Sequence, residues 1–238
     1  MRINKFLASC TQFSRRKSEE LVLAGKVKVN GSVISSLSVS IDENNDVVTL
    51  DGKVLSVCEN FVYLMMHKPK GYLCTRSDVA GRKTIYDLIP EYKKIRLFSV
   101  GRLDRDTEGL ILLTNDGDIT NKLIHPKHEV EKTYVAKIEG NITETELEKL
   151  RDGVVLDDGF KTSRAKVNLL EKNKEFCRVE VTIHEGKNRQ VRRMFEAIKK
   201  HVTFLKRTKF GPLSLGGLTR GTTRLLKQKE IESLKKII

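Results

Sequence analysis

The feature that most limits the possible folds is Gly109–Thr114, GLILLT, a run with no charge and no helical period. It is far shorter than the roughly 18 apolar residues a membrane span needs, and too uniformly apolar to face water. It therefore reads as a buried strand, opened by the polar loop RLDRDTE (102–108) and closed by Asn115-Asp116-Gly117. Phe61–Met66, FVYLMM, is a second run of this kind, and His67-Lys68-Pro69-Lys70-Gly71 ends it in a Pro/Gly turn. Residues 131–139 and Phe176–Ile183 alternate as strands, the latter placing Cys177, Val179, Val181 and Ile183 on one face. Thr143-x-x-Glu146 is a capping box that opens a short helix ending at Gly153. Val191, Met194, Phe195 and Ile198 form a helical stripe, and Ile231, Leu234 and Ile238 another on a last helix. No regular β-α-β succession links these elements, so the fold class is α+β.

The first 57 residues form a module of their own. Ile3, Phe6, Leu7 and Cys10 make the stripe of a short amphipathic helix. A second helix runs from about Arg15 to Ala24 and stops at Gly25, a residue suited to the left-handed position after a helix. Lys26–Val29 alternates, and Asn30-Gly31 follows as a hairpin turn. The pattern repeats through residues 47–50, Asp51-Gly52 and 53–55. Glu59 and Asn60 mark a linker, giving expected domains of 1–57 and 62–238.

Charge says what such a chain meets. Lys and Arg number 45 against 31 Asp and Glu. Residues 1–31 hold seven bases against two acids and residues 184–238 hold 15 against four, whereas 58–183 are nearly neutral at 22 against 21. Basicity at both ends implies two surfaces facing a polyanion, because Lys and Arg that meet phosphates release condensed counterions. Arg15, Arg16 and Lys17 open the second helix, where cations oppose the macrodipole, so helix stability is not what keeps them there. Lys26 and Lys28 share one strand face and can join them on phosphates. Cys10, Cys58, Cys74 and Cys177 form no C-x-x-C pair, so they read as reduced thiols in a cytoplasm rather than a zinc site. MRINKFLASC has no long apolar stretch and is no signal peptide. No membrane-spanning run exists.

Polar loops anchored on rigid strands are where sites are built, which singles out Ser99–Gly117, SVGRLDRDTEGLILLTNDG. Asp104, Asp106 and Glu108 alternate there, but a calcium loop fails because its twelfth position is Asn115, not Glu. A magnesium nuclease built on Asp104 and Asp106 is an alternative. His125-x-x-His128 is a poor metal pair because Pro126 lies between. There is no P-loop and no dinucleotide-binding glycine fingerprint.

Gly101-Arg102-Leu103-Asp104-Arg105-Asp106-Thr107-Glu108-Gly109-Leu110 resembles the catalytic motif of bacterial ribosomal RNA pseudouridine synthases. His67–Tyr72, residues 131–134 (EKTY), residues 185–195 (EGKNRQVRRMF) and Gly221–Leu226 match that family's other motifs in order. Two places depart: Met66-His67 stands where Leu-Asn is usual, and the closing motif lacks its usual Arg-Pro-Leu. The N-terminal module is similar to the RNA-binding domain of ribosomal protein S-four, through Arg2–Leu7, Ser14–Lys17 and Gly25–Gly31.

The resemblance implies an S-four-like α+β module followed by a larger domain on a mostly antiparallel mixed sheet flanked by helices. It implies Asp104 as catalytic carboxylate, with Arg192 as its basic partner projecting from a helix edge. Tyr134 would stack on the target base, Leu226 would wall the pocket, and Arg102 would fill the gap left by an extruded uridine or hold its phosphate. The product is an isomer of the substrate, so no cofactor is implied. The partner is ribosomal RNA, with large-subunit RNA favoured over small-subunit RNA by the third motif and by Phe210–Leu213, and the chain is expected to be a monomer. The competing reading is a non-catalytic ribosomal RNA-binding or assembly protein.

Overall fold

A computed structural model describes residues 1–57 and 60–238. The thiol at Cys58 and the linker residue Glu59 lie outside the described residues. The chain forms two compact units, Met1–Val62 with Glu91–Leu97, and Tyr63–Pro90 with Phe98–Ile238.

In the first unit, α1 (Ile3–Cys10) buries Ile3, Phe6 and Leu7, as its stripe requires. α2 (Arg15–Leu23) starts at Ser14, whose hydroxyl accepts from the Lys17 N–H, and it stops where Gly25 takes φ +67°. Four short strands follow: β1 (Val27–Val29), β2 (Ser32–Val33), β3 (Val48–Leu50) and β4 (Lys53–Val54). They form an antiparallel sheet in the order β2-β1-β3-β4. Both turns have two residues at positive φ, 49° and 83° at Asn30-Gly31 and 47° and 80° at Asp51-Gly52. That twist suits the two-residue hairpin. Asn30 secures its turn by donating to Asp46 and accepting from the Val47 N–H.

The second unit is built on β5 (Tyr63–Lys68), β6 (Phe98–Ser99), β7 (Glu108–Thr114), α3 (Gly117–Ile124), β8 (Lys132–Glu139) and α4 (Glu144–Asp152). It continues through β9 (Lys166–Lys172), β10 (Phe176–Ile183), α5 (Gln190–Ala197), β11 (Val202–Phe210), β12 (Leu213–Ser214), β13 (Thr223–Leu225) and α6 (Gln228–Lys236). The sheet runs β13-β5-β7-β11-β8-β10-β9, with β6 on β7 and β12 on β11. Among these described strands only β7 and β11 pair in parallel. β5 and β7 are buried along their whole length, as the two apolar runs demand.

Two cores form. One packs Leu147 and Leu150 of α4 and Val191, Met194 and Phe195 of α5 on strands β8 to β11. The other packs Ile119 and Leu123 of α3 and Leu234 of α6 on β5 and β7. The capping box at Thr143 and Glu146 is present in full, and α4 ends before Gly153.

Three sequence readings need adjustment. The expected strand at 61–66 is displaced by two residues, so that β5 ends with the buried His67 and Lys68. Asn115-Asp116-Gly117 ends β7 and also begins a helix that the sequence did not announce. Asp116 caps α3 by accepting from the N–H groups of Asp118 and Ile119, and the Tyr63 hydroxyl donates to it at 2.6 Å. Its sequence, GDITNKLI, holds few strong helix formers, so only the cap signals it. Finally, Arg192 does not project from an edge of α5 but is 6% exposed.

Candidate active site

The loop from Gly101 to Thr107 leads into β7 and is held from beneath. Lys68, fully buried at the end of β5, donates from Nζ to the carbonyl oxygens of Pro69 (3.1 Å), Asp104 (3.0 Å) and Thr107 (2.8 Å). Cys74 accepts from the Leu103 N–H at 3.4 Å and donates to the Leu103 carbonyl at 3.3 Å. The Gly71 N–H donates to the Arg105 carbonyl at 2.7 Å, and Thr107 N–H closes a tight turn onto the Asp104 carbonyl at 3.1 Å. The backbone that carries Asp104 is thus fixed on both sides by hydrogen bonds, which pre-organises its side chain.

The two aspartates of the loop have different fates. Asp106 accepts from Nη1 of Arg189 on both oxygens, at 3.2 and 3.3 Å, and Nη2 of Arg192 stands 3.2 Å from its Oδ2. Arg192 also donates to the Asp106 carbonyl at 3.2 Å and to the Val202 carbonyl at 2.7 Å. Burial works to raise the Asp106 carboxyl, but Arg192 and Arg189 together hold it below the usual carboxylate range. Asp104, half-buried, has no hydrogen bond or ion pair to its carboxylate among the described residues. Burial pushes its carboxyl above the ordinary range and Asp106 adds to that, while Arg189, Arg192 and Lys68 oppose the rise.

Asp104 lines a cleft of about 990 Å³ together with Arg102, Tyr134, Lys132, Arg189 and Arg207. Arg102 is exposed, Tyr134 is half-buried against the core under α5, and Arg207 is buried. Lys132 donates to the His184 carbonyl at 2.6 Å, and burial together with nearby Arg207 pushes its ammonium down to about 8. Cations thus line the cleft beside Asp104, whose carboxylate has no partner among the described residues.

Of the residues singled out from sequence, Asp104, Tyr134 and Arg102 meet at this cleft. Arg192 lies behind it, paired to Asp106, and among the described residues no surface pair with Glu196 forms. Leu226 is not on the cleft wall; it is core, 8% exposed, with its N–H on the Tyr63 carbonyl. Arg15, Arg16, Lys17, Lys26 and Lys28 are all exposed in the first unit, Lys17 in a 2.7 Å pair with Glu20. Sequence reasoning missed Lys68, Arg189 and Arg207. The first two stand inside segments already matched to motifs, and their roles arise only when distant strands are brought together. Asp106, which a metal-dependent nuclease would need as a ligand, spends its oxygens on arginines. Among the described residues no three His, Cys, Asp or Glu side chains gather as metal ligands would. His125 and His128 stand edge-on with ring centres 6.4 Å apart.

Comparison with known proteins finds relatives over nearly the whole chain. The profile of the family described as RNA pseudouridylate synthase matches residues 62–197, and that of the S4 domain matches residues 1–47. The ribosomal large subunit pseudouridine synthase B of Bacillus subtilis is 44% identical over 236 residues, spanning 98% of this chain and 95% of the relative. The Vibrio cholerae protein of the same name is 38% identical, spanning 100% of this chain and 75% of the relative. A crystal structure of a pseudouridylate synthase superposes with a TM-score of 0.72 at 34% identity, covering 98% of this chain and 99% of that one.

Proposed function

Because this chain belongs to the RNA pseudouridylate synthase family, we propose that it isomerises one uridine of large-subunit ribosomal RNA, with Asp104 as the catalytic carboxylate. The observation that carries the residue assignment is the contrast between two carboxylates of one loop. Asp106 is consumed by two arginines; Asp104 is unpaired on the wall of the cleft.

The reaction breaks the bond from ribose C1′ to N1, turns the uracil and joins C1′ to C5. The C5 hydrogen leaves as a proton and N1 gains one, so no co-reactant enters. A stacked base cannot turn beneath its own sugar, so the nucleotide must first be extruded. Asp104 then either adds to the base or assists cleavage at the sugar, and both routes need it ionised. Tyr134 supplies a face for the base and a group near the departing C5 proton. Arg102, exposed on the same cleft, fills the vacated stack or holds its phosphate. Arg189, Arg192 and Lys68 favour the charged form of Asp104 against the cost of burial. Residues 1–57 act as the RNA-holding domain, with Arg15, Arg16, Lys17, Lys26 and Lys28 on phosphates, and residues 62–238 as the catalytic one. A ribosomal RNA target places the work in the cytoplasm. Among the described residues no helix is long and apolar enough to cross a membrane.

Mapping pseudouridines in ribosomal RNA from cells with and without this protein tests the target. Loss of a defined large-subunit site is expected. An unchanged map, the outcome for a non-catalytic assembly protein, overturns the proposal, and loss in the small subunit overturns the choice of target.

The pH dependence follows from the raised carboxyl. Activity requires ionised Asp104, so kcat/KM, which reports the free enzyme, climbs with pH along a limb lying above the free-carboxylate value of about 3.9. Arg189 opposes that rise, so Arg189→Gln moves the limb to still higher pH. A kcat/KM profile from about pH 4 to 8 checks this, and a limb that stays put or moves down contradicts it.

A further inference from the structure

β11 carries a charge where its pattern calls for an apolar side chain. Val202, Leu205 and Phe210 are buried, and between them Arg207 is only 3% exposed. Its Nε donates to the Leu110 carbonyl at 2.8 Å, and its guanidinium lies 5.2 Å from the Phe210 ring centre. Neither terminal nitrogen has a hydrogen-bond partner among the described residues, and Nη2 is shut off from solvent as well. Asp106 of the adjoining loop pairs with Arg189 and Arg192, and Glu108 of the adjoining strand with His67 and Arg220, while Asp104, though unpaired, makes no ion pair with Arg207 among the described residues. A buried cation without a counter-charge is costly, and a methionine would fill the same space without that cost.

Position suggests what the guanidinium is for. Arg207 lines the cleft that holds Asp104. In the sheet it sits opposite Tyr134 on one side and Gly109 on the other. Directly opposed residues of antiparallel strands share a sheet face, so Arg207 and Tyr134 stand side by side. Arg102, exposed on the same cleft, is within easier reach of a phosphate; on Arg207 the sealed Nη2 leaves Nη1 as the nitrogen that a ring entering beside Tyr134 can meet.

We infer that Arg207 is a specificity-determining residue that donates to a carbonyl oxygen of the extruded uracil both before and after the ring turns. This rests on the isomerase reading. N1 and C5 are both neighbours of C6, and they exchange places when the ring makes a half-turn about the axis through C6 and N3. The same half-turn exchanges the C2 and C4 carbonyls. A fixed donor therefore meets an acceptor in either orientation. Cytosine carries an amino group at C4, so one of its two orientations sets N–H against N–H. Arg207 thus excludes cytidine whichever carbonyl it holds first.

The test uses the full chain and a synthetic RNA hairpin carrying the uridine that the wild type modifies, with uridine, 2-thiouridine or 4-thiouridine at that position. Sulfur is a weak acceptor. Single-turnover rates, RNA affinity and melting temperature are measured for wild type and Arg207→Met. The variant is expected to slow the uridine hairpin by about 10- to 100-fold with nearly unchanged affinity, the range for a hydrogen bond from a charged donor. Each thio substitution should slow the wild type, and neither should slow the variant further. A variant at the wild-type rate, or one whose loss lies in affinity while thio effects persist, overturns the inference. If the variant does not fold, the wild type decides: indifference to either sulfur overturns it. A wild type that modifies no uridine of ribosomal RNA, and so defines no hairpin, overturns the isomerase reading itself, which sets that failure apart from the others.

Discussion

Alanine at position 109 is expected to destabilise the second unit by on the order of 4 kcal/mol, combining left-handed backbone strain with an overpacked strand contact. Gly109 has φ +118°, and a Cβ there would stand 2.2 Å from the Arg207 carbonyl oxygen and 2.5 Å from its nitrogen. The obstacle is backbone in the middle of the sheet, where β7 and β11 pair in parallel, so no side chain can swing aside. The cost extends to the site, because this contact seats Arg207 beside the loop that carries Asp104. Gly140 supplies the comparison: its φ is +67°, but a Cβ added there would meet nothing within 4 Å, so Gly140→Ala should cost only about 1 kcal/mol of strain. Urea denaturation of both variants checks the pair. A Gly109→Ala midpoint no lower than that of Gly140→Ala would contradict the argument.

Local structure was legible because its causes are local. The stripe of Ile3, Phe6 and Leu7, the Asn30-Gly31 and Asp51-Gly52 turns and the Thr143–Glu146 capping box each act within a few residues, and each appears where expected. The apolar runs at β5 and β7 were equally plain, since full burial leaves a strand no polar face. What stayed hidden depends on non-local pairing. β11 inserts between β7 and β8, and that placement turns Arg207 from one base in a basic stretch into a buried guanidinium at the cleft. Lys68 read as part of a turn motif; only folding brings three loop carbonyls onto its ammonium. Arg192 looked like a helix-edge residue because the stripe on α5 does not include it. The loop carrying Asp106 covers that side and buries it. Leu226, assigned to the pocket by motif position alone, belongs to the core between β5 and α6.

Asparagine at position 104 is expected to remove catalysis while leaving the molecule intact. The amide matches the carboxylate in shape but lacks its charge, so it can neither act as a nucleophile nor offset positive charge at the sugar. Loss of the central catalytic group costs roughly ten-thousand-fold or more in rate. Stability should not fall. Burial raises the folded-state pKa of Asp104, which means that its ionised form costs the fold at neutral pH, and the neutral amide carries no such cost. RNA affinity should hold, because the basic side chains around the cleft are untouched. The most direct test is tritium release from RNA labelled at uridine C5, followed alongside RNA length for wild type and Asp104→Asn. Release by the wild type from full-length RNA, with none from an equally folded and equally RNA-bound Asp104→Asn, is the predicted result; release that persists in the variant would contradict the assignment of Asp104.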